Sequence, residues 1–180
     1  KLKLIKNEYI VVSVHREENL DISDNFSNIL DAIDEVSSNN DKQIIFSTHP
    51  RTRKKLEEMK RDKNSKISYI KPLGFFDYIF LQLNAFVTLS DSGTLAEEAS
   101  LLKFPSVSLR NSTERPEAID SGSLILGSVD KNNIINSINL ALNLKNIIEP
   151  SDYDSPNCSE KVIKIIQGYT SIVNSEVWKK

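Results

Sequence analysis

One short run near the middle of the chain has the residue types of an anion-binding turn. It reads Ser90-Asp91-Ser92-Gly93-Thr94-Leu95-Ala96-Glu97-Glu98-Ala99 and directly follows the apolar run Ala85-Phe86-Val87-Thr88-Leu89. An apolar run, a turn with glycine and a helix-forming stretch together predict strand, turn and helix. At the N-terminus of such a helix, hydrogen bonds and the helix dipole both favour a phosphate. We expect the phosphate to meet the free backbone N–H groups of Ser92, Gly93 and Thr94.

Glu98 lies one turn into that predicted helix. From there its carboxylate could accept a hydrogen bond from a sugar hydroxyl of the molecule that carries the phosphate. The combination favours a nucleotide or a nucleotide-sugar as the ligand. A lone Asp-Ser-Gly is more often only a tight turn, and acidic residues near a helix start also complement the helix dipole. Glu97 is expected to serve the helix alone.

The composition limits the class of protein. A length of 180 residues predicts about one domain with a buried core, and 39% hydrophobic with 27% charged residues is typical of a globular protein. A net charge of −2 argues against nucleic acid as a partner. A single cysteine, Cys158, excludes an internal disulfide framework and predicts a cytoplasmic location. No run approaches the roughly 18 apolar residues of a membrane span, so no membrane partner is expected.

Strand-like and helix-like segments alternate along the chain. A continuous apolar run of strand length predicts a strand at residues 9–14, and further short strands are predicted at residues 43–47, 67–70, 86–89, 106–109 and 124–126. Helical spacing of apolar residues predicts a helix at residues 26–36, and further helices are predicted at residues 51–63, 76–83, 94–102, 130–144 and 159–178. This alternation predicts an α/β fold with a doubly wound, Rossmann-like parallel sheet and helices on both faces.

Polar clusters follow the predicted strands, one after another. Ligands bind such sheets in the crevice at the carboxyl ends of the strands, so these clusters should share one rim. Their convergence is stronger evidence for a site than any single motif. The clusters are residues 15–19, 48–50, 72–76, 91–93 and 110–117.

Four of these motifs occur together in a fixed order. They are Val14-His15-Arg16-Glu17-Glu18-Asn19, Asp91-Ser92-Gly93, Glu97-Glu98-Ala99 and Arg110-Asn111-Ser112-Thr113-Glu114-Arg115-Pro116-Glu117. The chain from about Tyr9 to about Leu144 thereby resembles the carboxyl-terminal half of the non-hydrolysing UDP-N-acetylglucosamine 2-epimerase family. Members have two Rossmann-like domains across a cleft, the glycosyltransferase-B arrangement. The resemblance implies that residues 1–180 are the UDP-binding domain of a fragment whose amino-terminal catalytic domain is missing.

The resemblance also implies an isomerase activity. Such enzymes invert C2 of a UDP-2-acetamido sugar, as in UDP-N-acetylglucosamine to UDP-N-acetylmannosamine, with neither NAD nor a metal as cofactor. The implied path is anti elimination of UDP to a 2-acetamidoglycal, then re-addition after reprotonation on the opposite face. Because carboxylates of the missing domain would act at C2, the isolated chain is expected to bind UDP weakly and catalyse nothing. A homodimer of the full-length protein and a role in capsule or lipopolysaccharide precursor synthesis are also implied.

The groups implied to face the diphosphate come from three loops. They include the amides of the turn, the Ser92 hydroxyl, Arg115 and a donor from His15, which is the catalytic candidate. His15 and Arg115 could each have a structural role instead of binding the ligand. His15 could cap the following helix, and Arg115 could form a surface ion pair. Arg110 is expected to serve structure or the electrostatics of the cleft.

A second set of groups is implied to face the nucleoside. Glu98 would accept hydrogen bonds from the ribose hydroxyls, and Tyr78 matches a family aromatic near the nucleotide, although an aromatic residue of this kind more often belongs to the core. The turn at Leu73 would meet the uracil through backbone groups.

Two departures from the family pattern leave the hexose open. Glu17 stands where many members have a second basic residue. Beyond about Glu149 the segment Tyr153-Asp154-Ser155-Pro156-Asn157-Cys158-Ser159-Glu160-Lys161 resembles the branch that acts on 6-deoxy-L-hexosamine UDP-sugars, in UDP-N-acetyl-L-fucosamine synthesis. Two other functions remain as alternatives: the donor-binding domain of a UDP-sugar glycosyltransferase, and a non-catalytic nucleotide-sugar sensor.

Overall fold

Strands and helices alternate in the computed structural model, which describes residues 2–39, 41–144, 147, 150, 153 and 156–180. The strands are β1 (Tyr9–Ser13), β2 (Gln43–Ser47), β3 (Ile67–Ile70), β4 (Val87–Ser90), β5 (Ser106–Ser108) and β6 (Ile125–Leu126). The helices are α1 (Glu17–Leu20), α2 (Ser23–Asn39), α3 (Pro50–Glu58), α4 (Phe75–Asn84), α5 (Leu95–Leu102), α6 (Pro116–Asp120), α7 (Lys131–Asn143) and α8 (Cys158–Ile172).

The sheet is parallel throughout, with the strand order β3-β2-β1-β4-β5-β6. This confirms the predicted doubly wound α/β fold. The chain runs outward from β1 to β2 and β3 and then returns to place β4 on the other side of β1. That reversal makes the carboxyl ends of β1 and β4 the topological switch point, where open α/β sheets bind their ligands.

Helices cover both faces of the sheet because successive side chains of a strand point to opposite faces. Ile10 and Val12 of β1 belong to the larger apolar cluster, together with residues of α2 and α7. Tyr9 and Val11 belong to the second cluster, with Leu81 of α4. All five side chains are buried. Burying one such side chain contributes about 1.5–3 kcal/mol, so the central strand anchors the edge where the site lies.

Three helices differ from the prediction. The helix predicted over 51–63 ends at Glu58 because Lys60 has a φ of 56°, a left-handed conformation that an α-helix does not accommodate. The short helices α1 and α6 were not predicted, since they lie inside the polar loops after β1 and β5.

The described residues form two compact units, Lys1–Pro150 and Ser151–Lys180, and the single domain over 1–180 stays a prediction. The second unit contains α8 and a π-helical segment, Val173–Val177, where the last helix is predicted. Glu149, Asp154 and Ser155, in the region that resembles the 6-deoxy-hexosamine branch, lie outside the described residues. Among the helices that are described, none combines the length and the apolar character needed to span a bilayer.

Candidate nucleotide-binding site

A cavity of about 260 Å³ opens at the switch point, between the carboxyl ends of β1 and β4. Ligand pockets usually measure about 300–1,000 Å³, so this cavity encloses only part of a nucleotide-sized ligand. Larger cavities, of about 390, 400, 660 and 690 Å³, are lined by neither His15 nor Ser92 nor Glu98. Most of the residues predicted for the site line the smaller cavity: His15, Leu73, Tyr78, Ser92, Thr94 and Glu98.

Asp91 joins the turn after β1 to the turn after β4. Its fully buried carboxylate accepts hydrogen bonds from the backbone amides of His15, at 3.0 and 3.1 Å, and Arg16, at 2.9 Å. The side-chain amide of Asn19 donates to it at 3.0 Å and also to the carbonyl of Leu109, at the end of β5. A buried carboxylate is costly unless donors surround it, so this set of donors keeps the two turns together.

The His15 ring is held by the same carboxylate. Its Nδ1 lies 3.0 Å from Asp91 Oδ1, and the side chain remains 45% exposed. Because a carboxylate only accepts, Nδ1 carries a proton and Nε2 is left for another partner. The hydrogen bond to Asp91 raises the pKa of His15, although burial opposes this. His15 does not cap α1, which begins after Arg16 as its N-cap residue.

The turn between β4 and α5 offers fewer free amides than predicted. Ser92 donates its backbone N–H to the Ser90 hydroxyl at 3.1 Å, so the prediction was wrong for this amide. In the described chain, the amides of Gly93 and Thr94 have no hydrogen-bond acceptor. The hydroxyls of Ser92 and Thr94 lie 3.1 Å apart. The Thr94 hydroxyl donates its proton to Glu98, so the two backbone amides form the anion-binding part of the turn.

Arg115 lies directly over this turn. A Cβ placed on Gly93 would lie 3.0 Å from Arg115 Nη1 and 3.4 Å from its Cζ, so a larger residue there would require the guanidinium to shift by a few tenths of an ångström. Nε of Arg115 hydrogen-bonds to Glu97, and Nη1 lies 3.8 Å from Glu114. The expectation that Glu97 serves only the helix was wrong, because Glu97 holds the guanidinium beside the turn.

Glu98 is held by one donor on each carboxylate oxygen. Gln82 Nε2 donates to its Oε2 at 3.0 Å, and the Thr94 hydroxyl donates to its Oε1 at 2.8 Å. Glu98 shares the cavity with Tyr78, and burial raises the pKa of Tyr78 to about 12. The Tyr78 hydroxyl is buried.

Arg110 takes the structural role that was expected. Its side chain is buried and forms two hydrogen bonds of 2.7 Å with Glu114, and its Nε lies 3.3 Å from Glu18 of α1. The same guanidinium lowers the pKa of Glu114 to about 2. Arg110 thus fixes the loop before α6, from which Arg115 extends. His49 is exposed and is the N-cap residue of α3.

The family model for UDP-N-acetylglucosamine 2-epimerase matches residues 1–167. The chain belongs to this epimerase family. A UDP-N-acetylglucosamine 2-epimerase of Methanocaldococcus jannaschii is 36% identical over 91% of this chain and 45% of its own length. A UDP-N-acetylglucosamine 2-epimerase of Methanococcus maripaludis is 42% identical over 76% of this chain and 38% of its own length.

Solved structures of epimerases have the same fold. A structure of the Methanocaldococcus jannaschii enzyme in complex with UDP-GlcNAc and UDP matches with a TM-score of 0.80 over 91% of this chain and 46% of that one, at 36% identity. The Rickettsia bellii enzyme matches with a TM-score of 0.81 over 99% of this chain and 49% of that one, at 32% identity. The chain therefore spans about half the length of the epimerases it matches.

Three residues of this family member were not predicted for the site. Asp91 was part of the recognised motif, but its partners are 72 to 76 positions away in the sequence. Glu97 has the ordinary sequence signature of a helix start. Gln82 lies within a helix and has no distinguishing pattern, so its contact with Glu98 required the structure.

Proposed function

We propose that this chain is the UDP-binding half of an enzyme that epimerises UDP-N-acetylglucosamine, or a related UDP-2-acetamido sugar, at C2. The observation that carries the proposal is the cavity at the switch point, where an anion-binding turn, His15 and Glu98 meet. The complex of the Methanocaldococcus jannaschii relative with UDP-GlcNAc and UDP supports the same ligand class. The other half would be the amino-terminal domain of a glycosyltransferase-B arrangement.

Cleavage of the bond between sugar C1 and the β-phosphate oxygen places negative charge on the diphosphate. Donors fixed before the reaction stabilise that charge most effectively. The Gly93 and Thr94 amides and the Arg115 guanidinium supply such donors from one side of the turn. Asp91 accepts from His15 Nδ1, so a protonated His15 would donate its Nε2–H to the departing phosphate. These groups support elimination of UDP and its re-addition.

The proton at C2 needs a base from elsewhere. Asp91 is fully buried, and its carboxylate is already surrounded by donors. Glu98 has both oxygens engaged by Gln82 and Thr94. A base must lie within hydrogen-bond reach of the proton it removes. Asp91 is buried among its donors, and the acceptor positions that remain on Glu98 are assigned to the nucleoside, not to C2 of the hexose. We therefore propose that the acid and base groups belong to the amino-terminal domain, and that the isolated chain is inactive.

The affinity for UDP should depend on the protonation of His15. The pKa of His15 is raised above 6.5 in the folded chain, so its contribution to stability is complete below pH 6.5 and is lost as the pH rises through the folded pKa. Because the imidazolium is the form that attracts phosphate, UDP binding should weaken over that same rise. Calorimetric titration with UDP between pH 6 and 9 measures this change in affinity. In the control variant His15→Gln, the change in UDP affinity with pH should be absent. An unchanged profile in the variant would contradict the role of His15.

Titration of the chain with UDP, followed by amide NMR shifts, tests the nucleotide half of the proposal. We expect shifts centred on Ser92, Gly93 and Thr94, and a roughly tenfold or greater loss of affinity in Glu98→Ala, because a hydrogen bond to a charged group contributes about 1.5–3 kcal/mol. No shift at millimolar UDP, for either the chain or the full-length protein, would contradict it.

The reaction is tested with the full-length protein. Epimerised product from a UDP-N-acetylhexosamine without any acceptor separates an epimerase from a glycosyltransferase. Exchange of the C2 hydrogen with deuterated water separates it from a nucleotide-sugar sensor. Homodimer formation, a cytoplasmic location, the 6-deoxy-L-hexosamine substrates and the capsule or lipopolysaccharide role stay predictions.

A further inference from the structure

Gln82 is a buried glutamine beside the nucleotide cavity, with an exposed fraction of only 1%. Its Nε2 donates to Glu98 Oε2 at 3.0 Å. Since an ionised carboxylate only accepts, the amide must present its nitrogen to Glu98, and its oxygen must face elsewhere. That oxygen is buried, and among the described residues no donor reaches it. An apolar side chain would fill this position without an unpaired acceptor, so packing alone does not explain a glutamine here.

The donors on Glu98 come from two different elements. Gln82 belongs to α4, whereas Thr94 belongs to the turn before α5 and donates to the other oxygen at 2.8 Å. A carboxylate has about four acceptor positions, two on each oxygen. With one position on each oxygen already used, the plane of the Glu98 carboxylate is fixed, and each oxygen keeps a position for one further donor.

We propose that Gln82 is a positioning residue that, with Thr94, orients Glu98 to accept from both hydroxyls of a ribose. The two remaining acceptor positions match a vicinal diol, whose adjacent hydroxyls can each donate to one carboxylate oxygen. The site then selects ribonucleoside diphosphates over their 2′-deoxy counterparts. This inference rests on the proposed function, because it names how the same cavity recognises the sugar of its nucleotide.

Calorimetric titration of the full-length protein with UDP and with 2′-deoxy-UDP tests the inference. The wild-type protein should bind UDP more tightly than 2′-deoxy-UDP. Gln82→Met keeps the length of the side chain and removes its amide, so the carboxylate is no longer fixed. We expect UDP to bind about tenfold more weakly, the factor expected for one hydrogen bond to a charged group. Binding of 2′-deoxy-UDP should change less than about twofold, so that the selectivity collapses.

Matched variants separate positioning from structure. Gln43 also donates through its side-chain amide, to Ser68 Oγ at 2.8 Å, but it lies at the start of β2, away from the cavity. Gln43→Met should leave both affinities unchanged. Thr94→Val removes the second donor to Glu98 and should reduce the same selectivity, so it tests the inference even where Gln82→Met fails to fold.

Each result of these titrations has a definite meaning. Loss of selectivity in Gln82→Met or Thr94→Val supports the inference. An equal loss for both ligands would mean that Gln82 only packs, and unchanged affinities would mean that Glu98 needs no positioning; either result overturns the inference alone. A wild-type protein that binds neither ligand contradicts the proposed function, and the inference falls with it.

Discussion

Replacement of Asp91 by alanine should lower the free energy of unfolding by about 3–5 kcal/mol, the cost of removing one partner of a buried charged network. The substitution leaves the backbone amides of His15 and Arg16 without this acceptor and removes one of the two acceptors of the Asn19 side-chain amide. It also releases the His15 ring, so UDP binding should fall below detection. Urea denaturation followed by circular dichroism measures the first effect, and calorimetric titration the second.

Two further variants make this prediction specific. Asp130 is the N-cap residue of α7, and its carboxylate accepts a hydrogen bond from the amide of Asn133 at 2.9 Å. Asp130→Ala should cost only about 1 kcal/mol, the usual value of an N-cap, and should leave UDP binding intact. Asp91→Asn keeps the shape but replaces one acceptor by a donor that faces other donors, so its stability should lie between Asp91→Ala and the wild type. If Asp91→Ala and Asp130→Ala lose the same free energy of unfolding, the Asp91 hydrogen-bond network does not stabilise the fold as proposed.

Replacement of Arg115 by methionine should weaken UDP binding about 100-fold. The guanidinium lies over Gly93, where it can donate to the diphosphate, and a hydrogen bond between charged groups contributes about 1.5–3 kcal/mol. The substitution also leaves Glu97 beside the phosphate without its partner, which adds repulsion. Isothermal titration calorimetry with UDP at low and high salt measures the loss, which should shrink as salt screens the charges.

Arg61 provides the matched control for this substitution. It precedes β3, at the opposite edge of the sheet, and contacts Asp31 at 2.8 Å and Asp34 at 2.7 Å. Arg61→Met should therefore reduce stability without altering UDP affinity. If Arg115→Met binds UDP as tightly as Arg61→Met does, Arg115 is not a phosphate ligand.

Local sequence patterns determined most of the elements and the rim on which the site lies. A strand buried on both faces needs a continuous apolar run, and residues 10–12 supply one for β1. The motif after β4 combines turn residues with a helix start, which makes strand, turn and helix predictable from neighbours in the sequence. Because parallel strands end at the same edge, the order of elements alone placed His15, the turn and Arg115 on one rim.

Tertiary structure decided which of these residues act together. The strand order put β4 beside β1 and so made their carboxyl ends the switch point. The contacts of Asp91 with the β1 loop, of Glu97 with Arg115 and of Gln82 with Glu98 join residues far apart in the sequence or on different elements. Such contacts depend on distances of about 3 Å between packed elements, and no periodicity of the sequence carries that information.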